Sequence, residues 1–285
     1  MNIIFIGDIV GRSGRDAILN KLPILKCWPL DAGRFITLPL VITKDPISGV
    51  RNVGMYRMQV YDGQTAGMHW QTHKVGTAHY RKAKDIGNGK MEVAVAIGGD
   101  PVTIWSGSLP LPPDMDELAV AGVIRGKPVE LVKCKTVNLE VPAQAEIVLE
   151  GYVVPGELSP EGPFGDHTGY YSPAEDYPVF HVTAVTHRAD AIYPTTMVGR
   201  PPTEDFFLGK ASERIMLPIL QMVLPEITDI NMPAEGIFHN LVLVSMKKEY
   251  PGHVRKVMYA LWGLGLLMLS KTIVVFDEHV DLHDL

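Results

Sequence analysis

Cysteine is nearly absent. The 285 residues contain two, Cys27 and Cys134, with none of the paired spacing that a zinc site or a disulfide scaffold requires. Both are expected as reduced thiols, and the protein is expected in the cytoplasm. Long hydrophobic runs are also missing: the greasiest stretch, residues 257–269, is bounded by Arg255, Lys256 and Lys271 and falls short of the roughly 20 residues that span a bilayer. It reads as a buried helix, and no transmembrane segment is expected. The short apolar start at residues 3–6 is interrupted by Asp8, with no basic leader or small-residue cleavage site behind it, so export is unsupported. Positive charge is in deficit. Lys and Arg total 26 against 32 Asp and Glu, a net charge of -6, and no basic run is present to neutralise a row of phosphates, which argues against a nucleic-acid partner.

What is present is an ordinary globular composition. Hydrophobic residues make up 46% and charged residues 20%, and the 27 Gly and 22 Pro are dispersed, so disordered, collagen-like and low-complexity chains are excluded. Short strand-like runs punctuated by Gly and Pro occupy residues 35–43, 53–61, 91–97, 129–133, 146–153 and 180–186, the pattern of a sheet closing on itself. A helix is expected over residues 115–125, with Asp114 as N-cap, Glu117 as its capping-box partner and Gly126 just past its end. A longer helix is expected from Thr203 or Glu204, with Phe207, Ile215 and Leu220 on its apolar side and a disturbance at Pro218. Residues 241–246, 253–269 and 272–276 then follow the β-α-β rhythm of an α/β unit. Met216, Met222, Met258 and Met268 read as core, and the acidic residues from Asp277 to Asp284 as a solvated end.

Chemically capable side chains concentrate in four places: Arg51-Asn52-Val53-Gly54-Met55-Tyr56-Arg57, Met68-His69-Trp70-Gln71-Thr72-His73-Lys74, Glu117, and Glu161-Gly162-Pro163-Phe164-Gly165-Asp166-His167-Thr168-Gly169-Tyr170-Tyr171. With Leu149-Glu150-Gly151-Tyr152 and Gly199-Arg200-Pro201-Pro202, these motifs stand in the order found in the UbiD-like decarboxylases, and from about Leu22 onward the chain resembles that family. The resemblance implies an α+β fold: a split β-barrel cofactor domain over residues 22–202, a linking helix over 203–224 and a truncated α/β oligomerisation domain over 225–285. It also implies a carboxy-lyase that works with prenylated FMN and Mn2+, with K+ as a candidate further ion. The expected substrate is a small hydroxylated aromatic acid. A flavin prenyltransferase would supply the cofactor, and the full-length protein would be a homo-oligomer.

By the same resemblance, Asn52, His73 and Glu117 match the family's metal ligands. An amide oxygen, an imidazole and a carboxylate make a mostly hard ligand set suited to Mn2+ or Mg2+. Met55, Tyr56, Arg57, His69, Trp70 and Gln71 match residues that line the flavin, and Lys74 with Val75 the place where its phosphate is held. Arg57, Glu161 and Asp166 match the catalytic network, with Glu161 and Arg57 as the orienting pair and Asp166 as the proton donor. Asn52 and Arg57 are five apart and would leave a regular strand on opposite faces, so a break or bulge is expected, with Gly54 as its place. The turn containing Gly162, Pro163 and Gly165 is expected to fold the two carboxylates toward one point. The competing reading is a turn whose carboxylates cap backbone amides.

There are departures from the pattern. Ubiquinone-pathway members carry Arg in place of His69 and Arg-Gly in place of Lys74-Val75; His-Trp-Gln-x-His-Lys together with Phe238-His239-Asn240-Leu241-Val242 is more similar to members assigned to menaquinone biosynthesis. The expected substrate is thus a polyprenyl-hydroxybenzoate or a prenylated dihydroxynaphthoate precursor. Residues 1–21 lie outside the resemblance. They read as a strand and glycine-rich turn of an α/β domain, and Phe5-Ile6-Gly7-Asp8-Ile9-Val10-Gly11 resembles the opening of a metallophosphoesterase family. A foreign or mis-spliced segment is the expectation there. Two alternatives to the decarboxylase remain: an inactive flavin-binding fragment, and a metallophosphoesterase.

Overall fold

Period-two alternation in Met91-Glu-Val-Ala-Val-Ala-Ile97 puts large side chains on one face of a strand and small ones on the other. A computed structural model, which describes residues 3–6, 22–112 and 115–284, divides the chain into two units: Met1–Gly165 with Tyr171–Met197, and Asp166–Tyr170 with Val198–Leu285. The strands of the first unit are β1 (Ile3–Ile6), β2 (Arg34–Ile36), β3 (Pro39–Lys44), β4 (Arg51–Met55), β5 (Met58–Val60), β6 (Thr65–Met68), β7 (Met91–Ile97), β8 (Leu131–Lys133), β9 (Glu140–Pro142), β10 (Ile147–Glu161), β11 (Phe164–Gly165), β12 (Tyr171–Ser172) and β13 (Glu175–Arg188). Its helices among the described residues are α1 (Val75–Asp85), α2 (Pro101–Ser106) and α3 (Glu117–Arg125).

The main sheet runs β2-β5-β6-β13-β10-β7-β3-β4, antiparallel throughout, and is the split barrel expected from the sequence. Both faces are covered. Val93, Val95 and Ile97 join Val41, Leu149, Phe180 and Val182 in one core. Ala94 and Ala96 join Leu40, Ile42, Val53 and Val148 in a second core with Leu118 of α3 and Val141 of β9. The alanines leave room for that outer layer. β1 pairs antiparallel with β13, so it is no opening strand of a parallel α/β sheet. Asp8 and the rest of the glycine-rich turn lie outside the described residues.

Several expected elements are cut differently. The run 35–43 is two strands, parted at Thr37 and Leu38. The run 53–61 is also two, but the break falls at Tyr56–Arg57, and β4 passes through Gly54 unbroken. Asp114 lies outside the described residues; the cap of α3 is Asp116, whose carboxylate accepts from the Leu118 N–H at 2.9 Å. Glu117 therefore opens the helix and is no capping-box partner. Gly126 ends it in the left-handed region at φ 66°, as expected. Because Asp116 also pairs with Arg51, Asp116→Ala should lower stability by about 1–2 kcal/mol. A urea midpoint equal to that of the parent would show that the cap contributes nothing.

The second unit contains α4 (Glu204–Val223), β14 (Ile227–Asn231), β15 (Leu241–Met246), α5 (His253–Trp262) and β16 (Thr272–Asp277). β15 and β16 are parallel with α5 between them in sequence, and β14 pairs antiparallel with β15. Val242, Val244 and Met246 alternate into a core with Val257, Leu261 and Ile273, and Leu217 and Leu220 of α4 pack against it. α4 continues through Pro218, whose exposed ring removes one hydrogen bond without ending the helix. Phe207, expected on an apolar side, is 63% exposed. The helix expected over 253–269 stops at Trp262, because Gly263 and Gly265 follow and a 3₁₀ turn takes over. Met222 and Met268 are exposed rather than core. The C-terminal segment is anchored rather than merely solvated: Leu282 is buried and the Asn231 amide donates to its carbonyl. Neither cysteine is in a disulfide, and both are half-buried. Among the described residues no helix is long and apolar enough to cross a membrane.

Candidate active site

The β5–β6 hairpin places Met58 opposite Met68. The residues just outside that pair, Arg57 and His69, therefore face each other, and the His69 N–H donates to the Arg57 carbonyl at 3.2 Å. Both side chains reach Glu161, the last residue of β10. Arg57 Nε and Nη2 donate to the two Glu161 oxygens at 2.8 and 3.2 Å, and His69 Nδ1 lies 3.0 Å from Oε2. Arg57 Nη2 also donates to Ser172 Oγ, and its guanidinium lies 4.3 Å from the centre of the Phe164 ring. The Glu161 side chain is 0% exposed. Burial alone would raise its pKa, but the hydrogen bonds from His69 and Arg57 and their charge outweigh it and hold the carboxyl below its usual range. Glu161 is thus an ionised anchor.

A second group surrounds Tyr56. Glu117 is buried, and its Oε2 accepts from the Val53 N–H at 2.9 Å, next to buried Asn52. Desolvation pushes the Glu117 carboxyl up to about 7, because the Val53 bond and Arg51 offset its burial only in part. The Tyr56 hydroxyl lies beside the Asn52 amide and accepts from the Gly76 N–H in the first turn of α1 at 3.4 Å. Gly54 is required here, since a Cβ would come within 2.3 Å of the Tyr56 ring. Among the described residues, Asn52 Nδ2 and Trp70 Nε1 are buried with no hydrogen-bond partner. Gln71 is exposed, and its carbonyl accepts from Thr77 Oγ1. Met55 ends β4, and its N–H donates to Gly107. Lys74 and Val75 are the N-cap and first residue of α1, which has no side-chain cap. His73 is exposed three residues before Gly76, and partial desolvation and Lys74 lower its pKa, favouring the neutral imidazole that binds metals. Asn52 and Glu117 are therefore neighbours, and His73 lies on the turn before α1. Among the described residues no group of three or more His, Cys, Asp or Glu side chains has metal-holding geometry.

Asp166 belongs to the second unit. Its Oδ1 accepts from the His167 N–H and lies 2.7 Å from His167 Nδ1, so the amide-capping reading describes part of its role. Two partners were missed in the sequence: His69 as the second ligand of Glu161, and His167 beside Asp166. The first has no local signal, because hairpin register sets it; the second is the residue next to Asp166 in the chain, with only its other contacts set by tertiary structure.

The first unit is thus a split barrel that carries a buried carboxylate between a guanidinium and an imidazole, and a β-α-β unit follows it in the chain. Residues 8–201 match the 3-octaprenyl-4-hydroxybenzoate carboxy-lyase Rift-related domain and residues 206–285 the C-terminal domain of the same carboxy-lyase. The chain belongs to the UbiD family. It is 61% identical over 267 residues to an uncharacterised protein of Archaeoglobus fulgidus, covering 94% of this chain and 56% of that protein. A protein of Aquifex aeolicus is 59% identical over 271 residues, with 95% and 56% covered. The chain thus spans little more than half the length of these relatives. Among solved structures it resembles an evolved dimeric form of the UbiD-class enzyme HmfF from Pelotomaculum thermopropionicum in complex with prFMN (TM-score 0.87, 33% identity, 99% of this chain and 63% of that one). It also resembles the vanillic acid decarboxylase of Sedimentibacter hydroxybenzoicus in closed form (TM-score 0.87, 29% identity, 98% and 58%).

Proposed function

We propose that the chain carries the cofactor-binding part of a prenylated-FMN-dependent carboxy-lyase that removes CO2, reversibly and without net oxidation, from a hydroxylated aromatic acid. The observation that carries this reading is the buried, ionised Glu161 between Arg57 and His69, in a chain whose family includes aromatic acid decarboxylases. Polyprenyl-hydroxybenzoate or prenylated dihydroxynaphthoate precursors of quinones are the proposed substrates, and the full-length protein is proposed to be a homo-oligomer.

The residues fit the implied groups. The uncapped start of α1 offers backbone N–H groups to a phosphate, and the unpartnered Asn52 and Trp70 donors lie in the same part of the first unit. A buried carboxylate with its pKa raised toward neutrality, as at Glu117, gains most from a divalent cation. Asn52, Glu117 and His73 are the proposed Mn2+ ligands. Prenylated FMN, when bound, supplies the electron sink for the charge left on carbon when CO2 departs. The protein's part is positional and acid–base. Glu161 fixes the Arg57 plane through two hydrogen bonds, Phe164 supports its face, and the guanidinium presents cationic N–H groups to an anionic substrate. Asp166 is the proposed donor of the proton to carbon.

Native mass spectrometry of the full chain co-expressed with a flavin prenyltransferase, paired with CO2 release from hydroxylated aromatic acids, tests the reading. One prenylated FMN and one Mn2+ per chain with measurable CO2 are expected. Two metals without flavin would favour a phosphoesterase, and neither group would leave an inactive fragment; either result overturns the proposal.

A further inference from the structure

Replacing a carboxyl group by hydrogen consumes one proton per turnover, and an acid that has delivered its proton must be reloaded. In the second unit, Asp166 ends a line of titratable groups. His167 Nδ1 lies 2.7 Å from Asp166 Oδ1, and His167 Nε2 lies 3.0 Å from Nε2 of His239. Two imidazole nitrogens at that separation hold one proton between them, one ring donating and the other accepting. A doubly protonated His167 donates at both ends, to Asp166 and to His239. The charged groups facing it all favour that form: Asp166, Asp205 with Oδ2 3.7 Å from Nδ1, and Glu204 beside it in the first turn of α4. Among the described residues its ring also meets Phe238, with ring centres 5.8 Å apart, and His239. Burial opposes the charge on His167, but the hydrogen bond and charge of Asp166 outweigh it, and the imidazole keeps its proton above the usual histidine range. His167 and the Phe238-His239 pair stand in separate motifs of the sequence.

We propose that Asp166 and His167 act as one acid, with His239 as the acceptor that stabilises its loaded form. The loaded form is the imidazolium–carboxylate pair. The Nδ1 proton crosses to Asp166 Oδ1 and from there to the carbon that CO2 has left, forming the C–H bond and leaving neutral imidazole and carboxylate. One proton from water restores the pair, so substrate carboxylate plus one proton gives product and CO2. His167 and His239 are positioning residues, since both act through Asp166. This assignment rests on the decarboxylase reading for its turnover arm only.

The other arm needs no cofactor. In the full chain labelled with 15N-histidine, the His167 imidazole is expected to titrate above pH 6.5, roughly the ordinary histidine value. Asp166→Asn and His239→Phe should each lower that midpoint. Identical His167 titrations in all three proteins would overturn the proposal. In turnover, His167→Asn keeps a donor to Asp166 but cannot be loaded; kcat should fall roughly 10²-fold with KM little changed, and the pH limb shared with the NMR midpoint should vanish. A His167→Asn profile superimposed on the parent's would overturn it as well. Should His167→Asn fail to fold, His239→Phe must shift the same limb to lower pH. A parent chain with no turnover would sink the decarboxylase reading and leave the titration to decide the pair.

Discussion

Arg57→Met should destabilise the first unit by about 3–5 kcal/mol at pH 8 and reduce the proposed decarboxylation by roughly 10³-fold or more. Methionine retains an apolar stem against Phe164 but leaves Glu161, which has no exposed side-chain surface, without its guanidinium and with the His69 imidazole as its remaining side-chain hydrogen-bond partner among those described. An uncompensated buried carboxylate is the costly species, and the pH dependence identifies it. Glu161 is held below its ordinary pKa in the parent, so its ionisation contributes stability that is present above the unfolded carboxyl value and is lost as pH falls through the folded one. The variant has little of that contribution to lose. Its deficit should therefore be large at pH 8 and shrink toward pH 4. Urea denaturation at the two pH values reads the difference. An equal deficit at both would mean that Glu161 is not the ionised anchor, whatever happens to turnover.

The barrel was legible wherever alternation was long enough to fix both faces. Residues 91–97 form a strand with the expected bounds, and 241–246 does the same in the second unit. Breaks were less legible, because glycine marks close approach as often as weakness. The motif spacing points to Gly54 as the place where the strand parts, yet it sits inside β4 to admit the Tyr56 ring, and the chain parts at Tyr56–Arg57. Conversely, Gly263 and Gly265 lay inside an apolar run that hydrophobicity alone carried on to 269, and there the helix does end. Of the site, the union of Arg57 with Glu161 was readable through motif resemblance. That His69 shares the same carboxylate depends on the register Met58 opposite Met68, which no local pattern states. Glu117 shows how one feature has two physical meanings: its place near a helix start suggested a capping box, but its carboxylate turns to a strand N–H in the interior.

Gly151→Ala is expected to abolish cooperative folding of the first unit, or at the least to lower its stability by about 3 kcal/mol or more. The added Cβ would stand 1.9 Å from the His181 carbonyl oxygen. The obstacle is backbone, in the strand that β10 pairs with, at a shift of register between Glu150 and Gly151, so no side-chain rotation relieves it. Gly165→Ala meets an indole instead, 2.2 Å from Trp28 Cδ1, and a ring can move; its effect should be smaller. Gly89→Ala, with open space around it and no positive φ, should be neutral or stabilising by about 0.4–1 kcal/mol and serves as control. Thermal denaturation of the three variants should rank them in that order, and a Gly151→Ala midpoint within a degree or two of the Gly89→Ala midpoint would show that β10 and β13 are not paired as described. The consequence reaches the site, because β10 carries Glu150, which holds the backbone N–H groups of Lys135 and Thr136, and at its far end Glu161. A strand forced away from His181 at Gly151 moves the carboxylate on which Arg57 and His69 converge, so the proposed flavin binding and turnover should be lost together with stability in this variant.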